Sequence, residues 1–103
     1  MNNLRQERIA QAKVIWQQIS TGTKMACGAR EASVDVDGSK PYLRFRVTIK
    51  PNQRHFIRVW LEPSDTYTVS LVSFRNNEMK EVERADDIYC DNLSEVIYHM
   101  CNK

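Results

Sequence analysis

Between Tyr42 and Glu62 the chain reads YLRFRVTIKPNQRHFIRVWLE, and its chemistry is concentrated at alternate positions. Arg44, Arg46, Lys50, Arg58 and Trp60 fall between apolar residues, so two strands would bring them to one face of a sheet. Cations around an indole can hold phosphates while bases stack, can anchor a protein partner, or can stay solvated.

Reactive constellations are scarcer. No GxSxG, P-loop, HExxH or dinucleotide fingerprint occurs. His55 falls at a hairpin turn and His99 in the last predicted helix, neither near a nucleophile in sequence, so no enzymatic activity is expected. Cys27, Cys90 and Cys101 are an odd count without a CxxC, and Cys90, His99 and Cys101 do not match a zinc spacing. No metal, cofactor or disulfide is expected. Asp86 and Asp87 are adjacent, would point apart on a strand, and read as a solvated turn before the last helix.

The elements that must position the basic stretch follow from periodicity. In NLRQERIAQAKVIWQQIST, Leu4, Ile9, Ala12, Ile15, Trp16 and Ile19 fall within about 140° of a helical wheel, a core-facing stripe. Asn2 or Asn3 can cap its start, and Gly22 suits the left-handed position after its end. MACGAREASVDV reads as an irregular first strand, with Gly28 at a bulge or a close backbone approach. DGSKP is a turn. YLRFRVTIK and FIRVWLE are the clearest strands, with Leu43, Phe45, Val47, Ile49, Ile57, Val59 and Leu61 inward. EPSD turns the chain into TYTVSLVSF, with Tyr67, Val69 and Leu71 inward, and RNNE turns it again. MKEVER is a charged edge strand, and DNLSEVIYHMCNK a helix with Asn92 as N-cap and Glu95 completing a capping box. The expected fold is one α+β domain over residues 1–103. Its four or five antiparallel strands form a meander, with the N- and C-terminal helices on one face.

Composition bounds the setting. A chain of 103 residues, 42% hydrophobic and 27% charged, can bury one core. No apolar run reaches the length of a membrane span and no signal-peptide block opens the chain, so a cytoplasmic protein is expected. The net charge of +2 is uneven. Residues 1–61 hold eleven Lys/Arg against four acids, and residues 62–103 hold four against nine. That marks either a basic binding surface or, more commonly, an acidic half folding beside a basic one.

Register decides what the outer face presents. A three-residue loop would oppose Arg46 to Arg58. A five-residue loop, Pro51–His55, opposes Arg44 to Glu62 and Arg46 to Trp60, gaining roughly 0.5–1 kcal/mol from each pair, and is the one expected. The same parity sets Trp60 against Thr68, Arg58 against Ser70 and Asp35 against Arg44. Arg46, Lys50 and Arg58 then surround an exposed Trp60, with Thr48, Phe56, Thr68 and Ser70 beside them. Three readings compete. The first is a protein-binding patch; the second is a Trp60 covered by a chain end or a homodimer mate. The third is a nucleic-acid-binding sheet, weakened by the small net charge, the local acids and the lack of an RNA-recognition motif.

Several stretches taken together resemble a known family: Met25-Ala26-Cys27-Gly28-Ala29-Arg30, Leu43-Arg44-Phe45, Leu61-Glu62-Pro63-Ser64-Asp65-Thr66-Tyr67 and Ile88-Tyr89-Cys90-Asp91-Asn92-Leu93. They are similar to the skeleton of small proteins carried by bacteriophages and other bacterial mobile elements. The resemblance spans roughly residues 15–100 and is carried by short, structural motifs. It implies no catalytic residues. It does imply a context, the bacterial cytoplasm, in which such proteins bind and block a host protein, including components of CRISPR or restriction defence. The N-terminal helix and the Pro51–His55 loop lie outside the pattern.

Overall fold

Residues 3–37, 40–49 and 53–102 are described by the computed structural model. They run α1 (Asn3–Gln18), α2 (Thr21–Cys27), β1 (Arg30–Asp37), β2 (Lys40–Val47), β3 (Arg54–Leu61), β4 (Tyr67–Arg75), β5 (Glu78–Ile88) and α3 (Cys90–Cys101). The five strands lie side by side in chain order, each antiparallel to the next, as the alternations predict.

All three helices contribute to one core on one side of that sheet. Ala12, Ile15 and Ile19 from α1, Cys27 from α2, and Leu93, Ile97 and Met100 from α3 meet the inward row of β2, β3 and β4. Phe45, Ile57, Val59 and Val69 are wholly buried there. Trp16 stands edge-on to Phe45 with ring centres 5.1 Å apart, and the Lys24 ammonium caps its outer side at 4.3 Å.

The N-terminal region departs from the reading as one helix followed by a strand. α1 stops at Gln18, and Ser20 caps a second helix by accepting a hydrogen bond from the Thr23 N–H. Gly22 is therefore inside α2, not at the end of α1. The left-handed cap is Gly28, φ +63°, whose N–H and that of Ala29 close on the carbonyls of Met25 and Lys24. The close backbone approach expected at Gly28 is present, since a Cβ there would lie 3.2 Å from Thr48 Oγ1. A seven-residue helix is too short for its period to stand out from an irregular strand.

The C-terminal half departs in two places. β5 runs eleven residues to Ile88, so Asp86 and Asp87 belong to a strand rather than a solvated turn. α3 then begins at Cys90 after extended Tyr89; Asn92 lies in its first turn and the expected capping box is not its start. Asn76 and Asn77, both with positive φ, make the two-residue turn between β4 and β5.

Candidate functional site

The face away from the helices carries the even-numbered residues of β2, β3 and the first part of β4. Its register is neither of the two expected: Arg44 opposes Arg58, Arg46 opposes Phe56 and Val47 opposes His55. Parity is kept, but the opposite-charge and cation–π pairs across β2 and β3 are not made as foreseen. Two guanidiniums can lie opposite because each turns to another strand. Arg44 Nη1 reaches Asp35 Oδ2 at 3.5 Å and its guanidinium stacks 5.4 Å above Phe56. Thr48 also ends β2 early by donating its N–H to the Cys27 carbonyl at 2.9 Å.

On β1 the expected opposition of Asp35 to Arg44 is replaced by Asp35 opposite Tyr42 and Ser33 opposite Arg44. The ion pair forms diagonally instead. Arg46 Nη1 finds Glu31 Oε2 at 3.6 Å, where Glu31 sits at φ 57° beside a register shift. The expected pairs on the other side, Trp60 with Thr68 and Arg58 with Ser70, are present.

Trp60 is not exposed. It retains 6% of its accessible surface and Tyr42 9%, with their ring centres 5.0 Å apart. The Arg58 guanidinium lies 4.9 Å above the indole and 5.8 Å from the phenol ring, so it acts as a lid over both. Burial pushes the Tyr42 hydroxyl above the ordinary phenol range, and the Asp35 carboxylate adds to this against Arg58 and Arg44.

From Arg58 a polar chain crosses to the far edge. Arg58 Nη2 donates to Ser70 Oγ at 3.4 Å, and Ser70 Oγ, fully buried, donates to Glu81 Oε1 at 2.7 Å. Arg84 bridges Glu81 at 3.7 Å and donates from Nε to Asp86 Oδ1 at 3.2 Å. The Thr68 hydroxyl lies 3.1 Å from Glu62 Oε1 and 3.2 Å from Asp86 Oδ1, so its single proton serves one of them at a time.

Of the residues singled out from sequence, Arg44, Arg46, Arg58 and Trp60 do share this face, while Lys50 lies outside the described residues. Tyr42, Glu81, Arg84 and Asp86 were missed. Tyr42 was legible from the same alternation as Arg44. The β5 residues were not, because two register shifts along β4 and β5 re-aim that strand. Among the described residues no group of three His, Cys, Asp or Glu is placed to hold a metal ion. The cysteines are free, Cys27 and Cys101 in the core and Cys90 exposed. No described helix is long and apolar enough to cross a membrane. Comparison with protein-family models, curated proteins and solved structures finds no match.

Proposed function

We propose that this protein is a non-enzymatic binding protein that docks on a partner protein through the outer face of its sheet. The carrying observation is the way the guanidiniums of that face are held. Arg44 and Arg46 are each answered by a carboxylate of β1, and Arg84 by two of its own strand. Such a face is set in place before binding, which lowers the ordering cost of association. It presents the Arg44 and Phe56 stack, Arg46 held by Glu31, and Arg58 over the packed Tyr42 and Trp60 pair. Arginine with an aromatic ring is the composition of an interface anchor.

Charge balance favours a protein over a nucleic acid as the ligand. Glu31, Asp35, Glu62, Glu81 and Asp86 all accept contacts on this side from its arginines or hydroxyls. Carboxylates interleaved with guanidiniums repel phosphates and complement a partner of mixed charge. The resemblance to small phage and mobile-element proteins supports a host protein as the partner, with inhibition of a CRISPR or restriction component as the biological consequence. A pull-down from nuclease-treated bacterial lysate, repeated with Arg44→Glu, tests the reading. One stoichiometric protein captured by the parent and lost with the variant is expected. Recovery of nucleic acid alone, with affinity falling steeply as salt rises, would reverse the assignment.

A further inference from the structure

A groove runs between α1 and the β1 side of the sheet. Ile9, Ala12, Lys13 and Trp16 recur at helical spacing on one stripe of α1 and form one wall. At 1.5 Å per residue the stripe from Ile9 to Trp16 spans about 10 Å. Ala32, Val34 and Leu43 form the floor. Val34 opposes Leu43, which is buried beneath the helices, and Ala32 shares the face of Val34 by alternation. Ser33 also borders the groove, but it opposes Arg44, so its side chain belongs to the outer face.

The described side chains that face the groove are therefore apolar, with the exception of Lys13. Ile9, Trp16 and Val34 are half-buried, so apolar surface stays open to solvent along its length. The groove holds about 280 Å³. At about 30 Å³ per heavy atom, a water's share of the liquid, that is room for roughly ten atoms. Spread along the stripe, this is the bore of a single extended chain and not of a ring system. Lys13 has no carboxylate within 4.0 Å among the described residues. Neither has Lys24, whose ammonium lies 4.3 Å from the ring of Trp16. Two ammoniums without a counter-ion beside an apolar groove complement a ligand with one apolar tail and one anionic head.

We propose that this groove binds a medium-chain fatty acid, about ten carbons long, as its carboxylate. The tail lies along the stripe from Ile9 to Trp16, over Val34 and Leu43. Lys13 takes the carboxylate, and Lys24 adds to the positive potential at the Trp16 end. The site is on the helix side of the sheet and does not depend on the outer-face reading.

Titration calorimetry and chemical-shift mapping on the full chain test it, with decanoate, octanoate, decanol and anionic phospholipid vesicles as probes. Saturable binding of decanoate is expected, with shifts at the Trp16 indole N–H and at the Ala32 and Val34 amides. Octanoate should bind about fifteenfold more weakly, roughly fourfold for each buried methylene lost. Decanol should bind about tenfold more weakly, for want of the charge. Lys13→Gln should weaken decanoate about tenfold and leave decanol unchanged. Lys13 is exposed, so thermal unfolding of this variant should be unchanged. Ala32→Phe, which fills the groove from an exposed strand position, should weaken decanoate and decanol alike. Lys80→Gln, an equal charge change on β5, should leave binding intact. Absence of saturable decanoate binding would overturn the proposal, as would shifts confined to residues outside the groove or binding that Ala32→Phe leaves untouched. Decanol binding as tightly as decanoate, with no effect of Lys13→Gln, would overturn the carboxylate assignment. Binding to vesicles but not to decanoate would overturn the proposal in favour of a membrane surface.

Discussion

Trp60 packs against Tyr42 with ring centres 5.0 Å apart and planes inclined at 47°, on the side of the sheet away from the helices. The sheet therefore has a second, smaller apolar centre of its own. Val72, Thr68 and Ser70 are buried on the same side, and Arg58 lies across the rings. A tryptophan placed on the outer face by alternation is here part of what holds the strands together.

Trp60→Ala should consequently act on stability first. Truncating a buried aromatic costs about 3–5 kcal/mol, and this variant is expected at or near that range in urea unfolding. A loss below about 1 kcal/mol would mean that the indole is presented and not packed.

The anchor of the proposed interface moves to Arg44 and Phe56. The ion pair from Arg44 to Asp35 is solvent-exposed in part, so Arg44→Ala should cost less than about 1 kcal/mol of folding free energy. Its partner affinity should fall by about 2 kcal/mol, the usual size for an interface anchor, and Phe56→Ala should match it. Folding measured by denaturant and binding by calorimetry separate the two effects.

Gly22 and Gly28 should respond in opposite directions to alanine. Gly22 is helical with open space around its Cα, so Gly22→Ala should stabilise by up to about 1 kcal/mol. Gly28 is left-handed and pressed on Thr48, so Gly28→Ala should destabilise by about 1 kcal/mol or more. Melting temperatures of the two variants give the answer. Equal signs would contradict the placement of the helix end.

Stability should decline at alkaline pH. Burial raises the thiols of Cys27 and Cys101 above the ordinary 9.0, and the phenols of Tyr42 and Tyr67 above the ordinary 10.0. The folded state thus holds these protons more tightly than the unfolded chain. Their contribution is complete below the unfolded values and is lost as pH rises through the folded ones. Urea midpoints should be flat with respect to these groups near neutrality and fall above about pH 9. A variant with both Cys27 and Cys101 replaced by alanine should begin its decline later, in the phenol range.

Alternation along Leu43–Val47, Ile57–Leu61 and Tyr67–Leu71 was enough to name the inward row, the meander and the helix side. A period of two assigns each residue to a face whatever lies above it. For the same reason Trp60 opposite Thr68 and Arg58 opposite Ser70 were legible in the sequence. Cover was not. Whether Trp60 is wet depends on Tyr42 and Arg58 folding over it, and periodicity carries no record of that. The pairing of Arg44 with Arg58 likewise looks unfavourable when β2 and β3 are compared alone. It holds because Asp35 and Ser70, on the strands to either side, supply partners for the two guanidiniums. Cross-strand preferences of a fraction of a kcal/mol yield to such contacts and to the tie between Thr48 and Cys27. Face was a local property of the chain, and both cover and register were decided by strands that meet only in the folded protein.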